Sequence, residues 1–271
     1  MPVTEVVDLD QQAARLAEAV REAGALALSM FKTPLKNWTK GEALSPVSDA
    51  DIAVDVLLRE RLTANNEPTI AWLSEESVDD LARLDARFVW IVDPIDGTRA
   101  YIAGLPDWAV SAALVENGRP VAGCLYAPVS DEFFFAVAGQ GATRNGAAIA
   151  AAPGAALAQA RIAAPRKLLD RLQAIAPPFA VMPRTHSLAL RLARVAEGTF
   201  DAGIAGGNSH DWDLAAADLL VHEAGGALTS FAGVAVTYNR PVPRHGTLVA
   251  AGRERHAALL ELFRDERLAS L

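Results

Sequence analysis

Trp90-Ile91-Val92-Asp93-Pro94-Ile95-Asp96-Gly97-Thr98 carries an apolar strand straight into two carboxylates, a proline, a glycine and a threonine. Pro94 removes one backbone donor and stiffens the exit, so Asp93 and Asp96 are presented three residues apart on a tight turn. Gly97 allows a backbone conformation closed to other residues, after which successive NH groups can face an anion. Carboxylates beside open amides suit Mg²⁺ shared with phosphate, because Mg²⁺ takes hard oxygen ligands and keeps water and substrate oxygens in its shell. A plain strand end closed by an Asx turn is the competing reading of the same residues.

Two further segments repeat the pattern. Thr69-Ile70-Ala71-Trp72-Leu73 reads as a strand and runs into Ser74-Glu75-Glu76-Ser77, so a second strand ends in acids. Ser209-His210-Asp211-Trp212-Asp213 opens an Ala/Leu-rich helix. Each has an ordinary explanation by itself: a solvated loop for Glu75 and Glu76, an N-cap and a first-turn acid for Asp211 and Asp213. Three acid-bearing element ends in one chain point instead to a shared cation site.

With these residues in view, the chain resembles the inositol monophosphatase family of Mg²⁺-dependent, lithium-sensitive phosphomonoesterases. The likeness rests on Leu73–Ser77, Val92–Thr98 and Asp211–Ala217, with Ser45-Pro46-Val47-Ser48-Asp49-Ala50-Asp51 as an upstream element, and spans about residues 10–255. It implies a five-layer αβαβα sandwich of the α/β class, with the site between two halves. It further implies that Glu75, Asp93 and the Ile95 carbonyl hold one Mg²⁺, that Asp93, Asp96 and Asp213 hold a second, and that Glu75 helps position a third. Asp51 and Thr98, with Glu75, would serve the catalytic step by orienting and deprotonating the attacking water, and the Gly97 and Thr98 amides would bind phosphate. Clustered carboxylates need such cations to stay ionised together. Asp51 has a second reading, since Ser48 followed by Asp51 resembles a capping box opening a helix from Asp49 to Leu62.

The composition agrees with a cytoplasmic enzyme. At 271 residues the chain is long enough for a sizeable core, and its 51% hydrophobic content is too broken by charges, Gly and Pro to leave a membrane-spanning stretch. The N-terminus lacks the basic flank and apolar run of a secretory signal. The lone Cys124 lies in an apolar strand and reads as a small buried hydrophobe. A net charge of −8 without a basic block argues against a nucleic-acid polymer as partner. It does not argue against an anionic small molecule, because bound cations reverse the local field. A homodimer is what the resemblance implies.

Apolar residues at helical spacing predict a first helix over Asp10 to Phe31. Thr33 to Leu44, with Pro34 and Gly41, reads as a loop whose Lys36 and Lys40 are either solvated or phosphate contacts. Strands follow over Phe88–Val92, Ala109–Val115, Val121–Tyr126 and Glu132–Val137, with hairpin signals at Asn117-Gly118 and Asn145-Gly146. The Ala-rich stretch from Ala147 to Leu157 marks a boundary between an α+β half, residues 1–150, carrying most metal ligands, and an α/β half, residues 151–271, contributing Asp213 and substrate contacts. In the second half the helices are read over Leu168–Ile175, Ser187–Glu197, Trp212–Ala224 and His256–Phe263.

For the substrate, the resemblance implies a small polyol phosphate such as inositol monophosphate. Inositol-selective members carry a Glu seven residues before the Asp of the Trp-Asp motif, where this chain has Gly206. Members acting on 3'-phosphoadenosine 5'-phosphate, the 3'(2'),5'-bisphosphate nucleotidases, resemble it in a basic residue of the helix that contains Arg191. Arg184 and His186, just upstream, are further candidates for a second phosphate, although solvated arginines and a helix-capping histidine are the competing readings. Histidinol phosphatase activity and a non-catalytic, metal-binding regulatory role complete the alternatives.

Overall fold

Helix α1 (Leu9–Met30) is capped by the Asp8 carboxylate, which accepts from the Asp10 and Gln11 amides, and buries a stripe through Leu16, Val20, Ala23 and Ala27. The protein is described here from a computed structural model over residues 7–41, 45–64, 70–79 and 81–264. A hairpin of β1 (Asn37–Lys40) and β2 (Ser45–Ser48) leads into α2 (Asp49–Thr63). The predicted loop over Thr33–Leu44 therefore contains a strand. Three of its four residues are exposed and they lack an apolar alternation, so only their pairing with β2 defines them. Of that prediction, residues 42–44 lie outside the described residues, as does Thr69 of the next predicted strand.

The first sheet comprises β3 (Ala71–Ser74), β4 (Phe88–Asp96), β5 (Ala109–Glu116), β6 (Arg119–Ala127), β7 (Glu132–Val137), β8 (Ala142–Arg144) and β9 (Ala147–Ala148). They lie side by side in chain order, β3 parallel to β4 and the remaining pairs antiparallel. The short helix α3 (Thr98–Ile102) follows β4. Asn117 and Gly118 join β5 to β6 with φ of 48° and 76°, the left-handed pair that a two-residue hairpin turn requires.

The second sheet is built from β10 (Arg161–Ala163), β11 (Ala180–Val181), β12 (Ala202–Ala205), β14 (Gly226–Ser230) and β16 (Leu248–Gly252), in the order β11-β10-β12-β16-β14. Around it run α4 (Arg166–Gln173), α5 (Leu188–Ala196), α6 (Asp211–Glu223) and α7 (Arg253–Phe263), and β13 (Ser209–His210) pairs with β15 (Arg244–His245) apart from it.

Three apolar cores stack these elements into five layers. Trp90, Val92 and Leu114 pack against α1 and α2 on the outer face of the first sheet. Val89, Ile91 and Leu125 on its other face meet α5 and α6, which also cover Leu228 and Ala250 of the second sheet. Ile162, Ile204 and Val249 pack outward against α4 and α7. Strand β4 is thus buried on both faces, which explains its unbroken apolar run. The order is αβαβα, as expected. Close packing of α6 on the first sheet depends on Gly123, where an added Cβ would lie 3.1 Å from the Ala216 Cα and carbonyl oxygen. Among the described residues no helix is long and apolar enough to cross a membrane.

Candidate active site

The cation-type chemistry gathers where β4 ends. Asp93 pairs with Ser111 of β5 and Asp96 with Ala109, so three steps along β4 match two along β5 and the strand bulges at Pro94-Ile95. Asp93 Oδ1 accepts from the Ile95 amide at 3.0 Å, closing the turn. Gly97 then adopts φ +97°, and an added Cβ would come within 3.1 Å of the Asp107 carbonyl oxygen and 3.3 Å of the Ser187 nitrogen. Only glycine fits both constraints. The Thr98 hydroxyl that follows lies 3.0 Å from Asp51 Oδ1 and 3.0 Å from the Ile95 carbonyl oxygen.

Asp213 arrives from the first turn of α6, where its Oδ2 accepts from the His210 amide at 2.7 Å. Carboxylate oxygens of Asp93, Asp96 and Asp213 lie within 4.8 Å of one another. Glu75, one residue past β3, is fixed by its amide, which donates to the Val92 carbonyl at 3.2 Å. These four acids, with Gly97, Thr98, Arg184 and His186, line one cleft of about 430 Å³.

Electrostatics sets this cleft apart from a solvated acidic surface. Burial pushes the Glu75 carboxyl up to about 8, with Asp213, Glu76 and Asp51 adding to the rise and Lys40 opposing it. Burial and then Asp213 raise Asp96 to about 7, although the Ser187 hydroxyl and the Ala189 amide both donate to its Oδ2 at 2.6 Å. Asp93 is driven well above the usual carboxylate range by burial, Glu75 and Asp96. Such a set binds protons when alone and fits hard divalent cations, which take oxygen ligands and offset the repulsion.

Asp51 forms the predicted capping box and also faces Thr98. Its Oδ2 accepts from the Ser48 amide at 2.8 Å and the Ser48 hydroxyl at 2.6 Å, holding the start of α2, while Oδ1 faces Thr98. Burial raises its pKa against the effect of these donors. Lys40, partly exposed, is engaged by protein groups: its ammonium donates to the Glu75 carbonyl at 2.8 Å and pairs with Glu76 at 2.6 Å. Lys36 is exposed.

His186 sits at the rim, its amide and Nδ1 bonded to Asp107 Oδ2 at 2.6 and 2.7 Å, and Ser187 rather than His186 caps α5. Arg191 does not line the cleft. Its guanidinium donates to the Ile204 and Thr185 carbonyls at 3.2 and 2.8 Å and borders a neighbouring cavity. Gly206 is likewise outside the cleft lining, and an added Cβ there would meet Pro165 Cγ at an ordinary 3.4 Å. Asp211, beside the candidate ligand Asp213, is fully buried and bonds His245 Nε2 at 2.6 Å and the Asn239 amide at 2.7 Å. Sequence reading missed Ser187 and Asp107, which fix Asp96 and His186. Neither carries a motif, and both act across about 80 to 90 residues of chain.

The profile described as "Inositol monophosphatase family" matches residues 8–268. A Dictyostelium discoideum protein named inositol monophosphatase is 32% identical over 84% of this chain and 88% of its own length. A Rhizobium meliloti protein named inositol-1-monophosphatase is 35% identical over 69% of this chain and 73% of its own. Among solved structures, the extragenic suppressor protein suhB from Bartonella henselae superposes with a TM-score of 0.81 at 29% identity, covering 93% of this chain and 98% of that one.

Proposed function

Because the chain belongs to the inositol monophosphatase family, we propose that it is a Mg²⁺-dependent phosphomonoester hydrolase in which water attacks the phosphorus directly, with no covalent phosphoenzyme. The observation that carries this reading is the convergence of Asp93, Asp96 and Asp213 within 4.8 Å in a cleft also lined by Glu75 and by Thr98, itself bonded to Asp51. Glu75, Asp93, Asp96, Asp213 and the Ile95 carbonyl would hold two or three ions. When bound, the cations supply charge neutralisation to the phosphoryl oxygens and acidity to water.

The remaining work falls to the chain itself. Thr98 Oγ1 donates to Asp51 Oδ1 and keeps its lone pairs for a water proton, so a proton can pass from water through Thr98 to Asp51. Asp51 Oδ2 is already occupied by two donors from Ser48, which leaves Oδ1 as the receiving atom. The amides of Gly97 and Thr98 open the first turn of α3, where NH groups have no helical carbonyl before them. Residues 1–150 would thus supply most ligands and the proton path, and residues 151–271 Asp213 and the rim.

Inositol 1-phosphate is the first substrate to test, as the two relatives named above suggest by their names. Adenosine 3',5'-bisphosphate is the second reading, favoured by Arg184 at the cleft. The test is phosphate release from both esters with Mg²⁺, without it and with added Li⁺. Mg²⁺-dependent, Li⁺-inhibited release is expected. Mg²⁺ binding without release from any ester would leave a non-catalytic role in its place.

A further inference from the structure

Beside the carboxylate cleft lies a larger cavity of about 570 Å³, and Arg184 lines both. The cavity opens where the parallel strands β10 and β11 end. From β10 the chain passes into α4 on the outer face of the second sheet, and from β11 into α5 on the inner face. Neighbouring parallel strands whose connections part to opposite faces leave a crevice at their carboxyl ends, where open α/β sheets take ligands. Volume and topology therefore point to the same place.

Its chemistry is the reverse of the cleft's. Pro165, Leu169, Val181, Met182 and Pro183 form apolar walls, and the charged groups are arginines. Among the described residues no Asp or Glu lines it, in a chain with eight more acids than bases. Arg166 is paired with Asp170 at 2.9 Å, and Arg191 is committed to two backbone carbonyls. Arg184 makes no hydrogen bond or ion pair among the described residues, so one guanidinium is available at the junction of cavity and cleft. The lining offers the hydroxyls of a polyol no carboxylate acceptor. A flat ring suits the proline and aliphatic walls, and a negative group on it suits a guanidinium.

We propose that this cavity is the leaving-group subsite, holding an aromatic ring whose anionic substituent meets Arg184. The proposal rests on the phosphomonoesterase reading and concerns the alcohol side of the same reaction. In that reaction the water oxygen bonds to phosphorus, the ester P–O bond breaks, and one water proton ends on the departing alkoxide, giving the alcohol and inorganic phosphate.

The test compares propyl phosphate, 2-phenylethyl phosphate and 2-(4-carboxyphenyl)ethyl phosphate with the Mg²⁺-loaded protein. All three leave as primary alcohols, so intrinsic reactivity is nearly constant. kcat/KM should rise for the ring and again by about tenfold for the carboxylate. In Arg184→Gln, at an exposed position, the carboxylate advantage should fall to about twofold or less, and Val181→Glu at the exposed rim should reverse it. Calorimetric binding of 4-(2-hydroxyethyl)benzoate, weakened in Arg184→Gln, reads the subsite without turnover. Equal kcat/KM for the three esters, unmoved by either substitution, would overturn the subsite and leave the phosphatase reading standing. No turnover of these esters or of inositol 1-phosphate would overturn the phosphatase reading, and the leaving-group role with it.

Discussion

Loading the cleft with Mg²⁺ should expel protons. Alone, Glu75 is held up to about 8 and Asp96 to about 7, so at pH 7 they retain roughly 0.9 and 0.5 proton, and burial drives Asp93 in the same direction. Cation binding requires the ionised forms, so Glu75 and Asp96 together should release about 1.4 protons per site at pH 7, with the logarithm of the apparent affinity rising by at least about that much per pH unit there. By pH 9 the contributions of Glu75 and Asp96 should be down to about 0.1 proton together. Calorimetric titration of the EDTA-stripped protein in buffers of different ionisation enthalpy counts these protons directly. Fewer than about half a proton at pH 7, with an affinity flat from pH 6 to 8, would show that the empty cleft stays ionised and refute the burial reasoning. Stability gives the same sign. Groups whose folded pKa is raised stabilise the metal-free fold fully below their ordinary pKa of 4.5 or 3.8, and that contribution is lost as pH rises through about 7 and 8. The Tm of the stripped protein should therefore fall between pH 5 and 8, while the increment given by Mg²⁺ grows.

Asp93→Asn removes one buried carboxylate at nearly constant shape; activity should drop at least about a hundredfold while the metal-free Tm at pH 8 rises, and an unchanged kcat/KM would sink the metal assignment. Asp51→Asn should lower kcat by about a hundredfold or more at similar KM, whereas its loss at the α2 cap should cost only about 1 kcal/mol in denaturant unfolding. Gly206→Glu has room for its Cβ, and turnover of inositol 1-phosphate should improve by about tenfold if an acid there reaches sugar hydroxyls; no change in kcat/KM would refute that role. Gly123→Val should push α6 off the first sheet, costing about 1–3 kcal/mol and weakening Mg²⁺ binding through displacement of Asp213, both measurable by thermal melts with and without the ion.

Much of the framework was legible in the residues because it is encoded locally. The apolar run of β4, the Asn117-Gly118 turn, the helical stripe of α1 and the acids at three element ends are each set by neighbours within a few positions, and the strand Glu132–Val137 was predicted with the limits it has. Strand β1 was not legible, since its exposed Asn37-Trp38-Thr39-Lys40 becomes a strand only through the backbone partners that β2 offers. Asp211 and Asp213 look equivalent in sequence, yet two residues of helix, about 200° of rotation, send the first to His245 and the second to the cleft. Likewise Arg184 and Arg191 sit seven residues apart, and which one is spent on backbone carbonyls depends on where β12 passes. Local sequence determined which groups this chain brings to its element ends. Tertiary structure decided which of them share a low-dielectric cleft, because burial, repulsion and an apolar cavity come from packing segments that are distant along the chain.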